Sequence, residues 1–321
     1  MPLNKMMLDR RHMLGLTGAA MTALGLSACS TDDSSTSSSS ESGAATVELD
    51  ATAYDSLVAS GTVADDATIQ ASQWASAIKS AGVLRVGTTR TSTLFSQLNE
   101  QDNKVRGFDA GIFQLLTRYI LGDESKNEIS NVTSDTRESV LQNNQVDTVF
   151  ATYSITDARK EVISFAGPYM VAKQGALLSA SNTTINTLDD LADKAIAVQS
   201  SSTGPSVVSE YFPNATQQAF STDEEARQAL EQGRVDAYVI DTTIEMGAMA
   251  KNPGKYRMLD ETFGSDDPYG IGLPKDSDGV AFVNAFLQQI EDAGLWAALW
   301  EICIGAPTGI SEVPTPPTIG A

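Results

Sequence analysis

From residue 71 onward the apolar positions alternate between two periods. Trp74, Ile78 and Ala81 share one face of a helix that stops at Gly82, and residues 83–87 then read as a strand. Ile112, Leu115, Leu116, Tyr119 and Ile120 recur at helical spacing as far as Gly122, and residues 146–151 form the short apolar run of a buried strand. A second block repeats this grammar. Thr187-Leu188-Asp189-Asp190 opens a short helix, residues 195–198 are a strand, and the capping box Thr222-Asp223-Glu224-Glu225 opens a helix that ends near Gly233. Strands at 235–240 and 269–273 follow, then helices at 278–293 and 295–302, whose Trp296 and Trp300 are expected to pack against the core. The alternation predicts an α/β protein with mostly parallel sheets.

The first 70 residues follow another pattern. Lys5, Arg10 and Arg11 precede sixteen uncharged, mostly apolar or small residues, and the segment closes on Leu26-Ser27-Ala28-Cys29. Sixteen residues make about 24 Å of helix against a hydrocarbon core of about 30 Å, so residues 1–28 read as a cleaved signal peptide. The closing tetrapeptide resembles a bacterial lipobox, which implies that Cys29 becomes a diacylated, palmitate-bearing N-terminus. Two acyl chains give lasting attachment, since each buried CH₂ contributes about 0.8 kcal/mol. Arg10-Arg11 also resembles a twin-arginine export core, so both that route and the general one stay open. Residues 30–46 carry no bulky apolar side chain and cannot offset their ordering entropy. Together with an ambiguous stretch at 47–69, they are assigned to a flexible tether covering 29–70. The tail, 307–321, holds Pro314, Pro316 and Pro317 and is expected to be extended or mobile.

Charge narrows the function. Without residues 1–28 the chain keeps 18 basic against 40 acidic side chains, a surface unsuited to nucleic acid or anionic headgroups. The single histidine, His12, lies in the leader. The exported chain therefore has no imidazole, which excludes Ser-His-Asp and Cys-His catalysis and His-ligated zinc. No Walker motif, dinucleotide fingerprint or metal-ligand cluster occurs, so neither cofactor nor metal is expected. With Cys29 lipidated, Cys303 has no partner and reads as a buried, inert thiol. The balance tilts toward binding and away from catalysis.

One stretch carries chemistry. The strand ending near Ala151 delivers Thr152 and Ser154 to its carboxyl end, and a helix start bearing Arg159 follows. Hydroxyls and free backbone N–H groups at such a turn converge on a point, and a guanidinium there can clamp a carboxylate with two parallel hydrogen bonds. The plainer alternative is Arg159 in a surface ion pair with Asp157 or Glu161.

Over residues 75–305 the chain resembles the type 3 amino-acid-binding proteins of bacterial ABC importers. The resemblance runs in family order through the strand at 83–87, Gly107-Phe108-Asp109, residues 147–159, Pro168-Tyr169, residues 233–237 and Tyr269-Gly270-Ile271-Gly272-Leu273. Within the family, residues 151–155 and 267–273 look most like actinobacterial glutamate-binding lipoproteins. It implies a two-lobed type II periplasmic-binding-protein fold with two crossover strands: 71–173 plus 269–306 in one lobe, 174–268 in the other, and the ligand in the cleft. Arg159 matches the arginine that clamps the α-carboxylate, with Thr152 and Ser154 beside it. Ser202 and Thr203 match the second-lobe loop, although the family usually has Gly where Ser201 stands. Asp241 matches the carboxylate that receives the α-ammonium.

The charge logic also stands by itself. A zwitterion taken out of water needs an opposite charge at each end, or several kcal/mol per ion go uncompensated. Arg137 matches an arginine that reads a side-chain carboxylate, and Arg90 follows the first strand, so the expected ligand is glutamate, then aspartate. Glutamine and asparagine stay open. The expected partners are that amino acid, the permease subunits of an ABC transporter and, through the lipid, the outer face of the cell membrane, with the protein itself a monomer. A cyclohexadienyl-dehydratase-like enzyme and a ligand sensor are the rival readings.

Overall fold

The computed structural model describes residues 48–320. Its strands, in chain order, are β1 (Leu84–Thr88), β2 (Thr91–Ser92), β3 (Ser96–Asn99), β4 (Lys104–Arg106), β5 (Asn127–Asn131), β6 (Thr148–Phe150), β7 (Ser164–Ser179), β8 (Ala195–Gln199), β9 (Thr216–Phe220), β10 (Ala237–Asp241), β11 (Tyr256–Met258) and β12 (Phe263–Leu273). β2, β3 and β4 form a small antiparallel sheet; the others run in the order β5-β1-β6-β12-β7-β10-β8-β9, with β11 also on β7. β1 pairs in parallel with β5 and β6, and β8 in parallel with β9 and β10. The 16-residue β7 and the 11-residue β12 pair antiparallel with each other and join the two parallel sets. This is the two-lobed α/β fold with two crossing strands.

The local signals place the elements closely. The helix Phe108–Leu121 stops at Gly122, whose φ of 76° needs no Cβ, and Thr222 and Glu225 form the expected capping box. Every residue of β10 is buried, as a strand covered on both faces should be. Trp296 and Trp300 are buried, and the Trp296 indole N–H donates to the Tyr169 carbonyl at 2.9 Å. Cys303 is buried and free. No helix among the described residues is long and apolar enough to cross a membrane.

Three expectations need correction. The folded unit begins before residue 71. Ala51–Ala59 and Asp66–Gln70 are helices capped by Asp50 and Asp65, and Tyr54, Val58 and Ile69 enter the core of the first lobe. The apolar residues in that stretch look scattered because each helix is short and contributes only one or two of them. The tail lacks regular structure beyond Ala306–Thr308 but is packed: Val313 and Ile319 lie against the first-lobe core, and the Gly320 N–H donates to the Gly167 carbonyl at 2.8 Å. The final helix, expected over 295–302, is α-helical over Leu295–Trp300 and widens into a π-helical turn at Glu301–Gly305. The leader and Cys29 lie outside the described residues.

Tyr54 tests the first correction. Its hydroxyl donates to Gln114 Oε1 at 3.0 Å, and its ring is 1% exposed. Tyr54→Ala is expected to lower stability by about 3–5 kcal/mol, read from the urea midpoint, because it empties an aromatic-sized core site. A residue in a flexible tether would leave the midpoint unmoved.

Candidate functional site

The turn after β6 is pinned from behind. Thr152 takes a left-handed φ of 43°, and its N–H donates to Asp109 Oδ2 at 2.9 Å. The Tyr169 hydroxyl donates to the other oxygen of Asp109 at 2.6 Å, and burial lifts that carboxyl to about 6. Ser154 then bridges to Tyr269 of β12. Thr156 caps the helix Asp157–Val162 by accepting the Arg159 N–H at 3.3 Å. The Arg159 side chain folds back over the turn, where Nη1 donates to the Ser154 carbonyl at 2.8 Å. The surface pair with Asp157 or Glu161 does not form: Arg159 is 7% exposed, and the nearest carboxylate is Glu138, 3.6 Å from Nε.

Arg137 lies alongside, at the first turn of Arg137–Gln142. Its Cζ sits 4.0 Å from the Tyr153 ring centroid and that of Arg159 5.2 Å, so one ring carries both guanidiniums. Arg137 Nη1 donates to the Ala151 carbonyl at 3.2 Å, and its buried Nε has no partner. Both Nη2 groups point at a single oxygen, the Ser201 carbonyl of the second lobe, 2.9 Å from Arg159 and 3.5 Å from Arg137. Burial, then the positive charge of Arg159, presses Arg137 down to about 10. Two buried cations sharing one neutral carbonyl make a place that favours an anion.

The loop that supplies this carbonyl is locally strained. Ser201 has a φ of 57°, in the region where glycine is at ease. The Ser202 hydroxyl is used within the loop, donating to the Gln199 carbonyl at 2.8 Å and accepting the Gly204 N–H at 3.1 Å. The Thr203 hydroxyl reaches across to Asp267 Oδ2 of β12 at 2.9 Å. At the end of β10, Asp241 is 4% exposed; Gln174 Nε2 donates to its Oδ1 and the Tyr269 hydroxyl to its Oδ2 at 2.5 Å. Burial, then the charge of Asp267, raises the Asp241 carboxyl to about 7.

The structure thus brings Arg159, Arg137, Ser154, Thr203 and Asp241 into one region. Of the candidate residues Arg137 and Thr152 line a cleft cavity of about 90 Å³, with Thr93, Ile244 and Gly247; Arg159, Ser154, Thr203 and Asp241 are not in its lining. Ser202 shapes the loop. Arg90 is not brought in: its Nη2 donates to the Ile129 carbonyl at 3.4 Å, and the side chain lines a separate cavity with Glu124 and Asn127. The chain turns at Thr89–Arg90, so following the strand in sequence did not mean facing the cleft. Sequence reasoning missed Tyr153 as the guanidinium platform and both Gln174 and Asp267 on the crossing strands. A lone glutamine inside an apolar strand was the available signal for Gln174, which is 1% exposed.

Comparison with known proteins bears on the family and the fold. The sequence profile of the bacterial extracellular solute-binding proteins, family 3, matches residues 84–305. The chain belongs to that family. Among its relatives, the glutamine-binding protein of Geobacillus stearothermophilus is 38% identical over 201 residues, covering 62% of this chain and 76% of the relative. The glutamate-binding protein GluB of Corynebacterium glutamicum is 31% identical over 245 residues, covering 72% and 83%. Among solved structures, an ancestral arginine-binding protein bound to glutamine superposes with a TM-score of 0.63 at 32% identity, covering 70% of this chain and 98% of that one.

In this family member the strained loop offers a direct test. Ser201→Gly is expected to be neutral or stabilising by up to about 1 kcal/mol, because it removes the Cβ from a left-handed position. Ser201→Val should lower stability by about 2 kcal/mol, since a β-branched side chain tolerates that φ least. Thermal unfolding of both variants checks the pair; equal effects would contradict the loop conformation.

Proposed function

We propose that this chain is the capture component of an ABC importer, held outside the cell by a lipid on Cys29, which binds glutamate first and aspartate second and delivers it to the permease. One observation carries the ligand reading. Two buried guanidiniums, Arg159 and Arg137, sit on the first lobe, and a buried carboxylate, Asp241, sits at the base of the second. An α-amino acid supplies the complementary charges: its α-carboxylate suits Arg159, and its ammonium suits Asp241. A second guanidinium beside the clamp favours a second carboxylate on the ligand, which distinguishes glutamate and aspartate from their amides. The names of the glutamate- and glutamine-binding relatives support the same ligand size and polarity.

Closure follows from the charges. Arg159 and Asp241 belong to different lobes, so a ligand that bridges them favours the closed form by the difference of its contacts in the two forms.

Isothermal calorimetry with glutamate, aspartate, glutamine and histidine tests this function. Glutamate is expected to bind with micromolar affinity, about -8 kcal/mol. Arg159→Ala should abolish detectable binding while far-UV circular dichroism stays unchanged, because loss of one partner of a buried charge pair costs about 2–5 kcal/mol. Arg137→Ala should shift preference toward glutamine. Wild-type glutamate affinity in Arg137→Ala would overturn the ligand assignment, and silence from all four amino acids would overturn the function.

A further inference from the structure

The crossing strands gather acids as well as hydrogen bonds. Gln174 Nε2 of β7 donates to Asp241 Oδ1 and lies 3.2 Å from Asp267 Oδ2 of β12, so one amide nitrogen spans both carboxylates. Tyr269 donates to Asp241, Thr243 pairs with the Tyr269 hydroxyl at 2.8 Å, and Thr203 donates to Asp267. Every one of these donors is neutral. Among the described residues neither carboxylate has a cationic nitrogen within 4.0 Å. Two buried carboxylates joined through one amide do not both ionise readily without a counter-charge.

Other titratable groups around the pair do not supply one. Glu245 follows Asp241 by one helical turn, lies against Gly175 of β7, is fully buried and has no partner for either oxygen. Burial, then the charge of Asp241, holds its carboxyl well above the ordinary range, and a carboxyl offers Asp241 no counter-charge. Burial likewise holds the Tyr238 and Tyr269 phenols in the neutral form. Arg137 acts on Asp241 only through space, with no hydrogen bond between them.

We propose that the Asp241–Asp267 pair holds one proton that is exchanged for the ammonium group of an arriving amino acid, with Gln174 and Asp267 as positioning residues for Asp241. The exchange balances: the ammonium keeps its three hydrogens, the proton leaves for solvent, and the charge of the pair plus its occupant is the same before and after. It rests on the amino-acid function proposed above and adds its regulation. The sign follows from the direction of the shift. The binding form is the ionised one, and the Asp241 carboxyl is raised to about 7, so capture is fullest above that pH. Below it, apparent affinity should fall about tenfold per pH unit, until the ligand-bound pair itself takes up the proton.

Two readouts test this. In the purified protein without amino acid, carboxyl ¹³C NMR should show one side chain titrating near pH 7; Asp267→Asn should move it down by a unit or more, and Glu245→Gln should leave it in place. Calorimetry with glutamate at pH 6.5 in buffers of different ionisation enthalpy should then show release of most of one proton per ligand bound. In Asp267→Asn the release should vanish. A pair titrating only below pH 5, or binding without proton release, would overturn the exchange while leaving the amino-acid function intact. A titration near pH 7 with no binding by any of the four amino acids would remove that function, and the exchange with it.

Discussion

A charged group taken out of water must meet an opposite charge or a set of aligned dipoles, and this protein separates its two kinds of charge across one cleft. Guanidiniums from Arg137 and Arg159 lie over the Tyr153 ring on the first lobe. Carboxylates from Asp241 and Asp267 meet around Gln174, where the lobes join. Among the described residues, the one carboxylate within the cation cluster is the half-exposed Glu138, 3.6 Å from Arg159, and the acid cluster holds no cation. The cations share the Ser201 carbonyl, and the acids share neutral donors, so both remain open to the complementary end of a zwitterion.

The backbone is arranged to tolerate this. Thr152 and Ser201, one on each side of the cleft, adopt left-handed conformations that non-glycine residues rarely take. Thr152 is held by the buried Asp109, and Ser201 by a loop whose Ser202 hydroxyl closes on Gln199 and Gly204. Each strained position aims a backbone group that regular structure would have consumed: the Ser201 carbonyl faces the guanidiniums, and the turn at Thr152 exposes the strand end. At both positions the strain is supported by polar contacts behind it.

The parallel strands and long helices were legible because burial on both faces of a sheet and on one face of a helix leaves a period in the sequence. The Arg159 turn was legible because hydroxyls, a helix start and a cation fall within eight residues of one another. The crossing strands were harder. Locally β7 reads as an apolar run broken by Lys173 and Gln174, and nothing in that run states that β12 lies beside it. Gln174 and Asp267 are 93 positions apart and become neighbours only through this pairing, so their partnership belongs to tertiary structure. Arg90 failed for the converse reason: nearness in sequence to the first strand was taken for nearness to the cleft. The helices at 51–70 were obscured by length, since five to nine residues contribute too few apolar positions to establish a period.

An acidic chain proposed to capture an acidic amino acid looks at first like a contradiction. The formal charge is -20, and most of it lies in solvent-facing side chains. At physiological ionic strength such charges are screened beyond about 8 Å, whereas a buried guanidinium acts on a neighbouring carboxylate through a far less polarisable medium. The pair at Arg137 and Arg159 therefore outweighs a larger number of exposed acids, and net charge bears on encounter more than on affinity. The same comparison explains why the acids at Asp241 and Asp267 matter individually. Buried beside each other, they are placed to respond, in the proposed exchange, to a single proton or ammonium that dozens of surface carboxylates would not register.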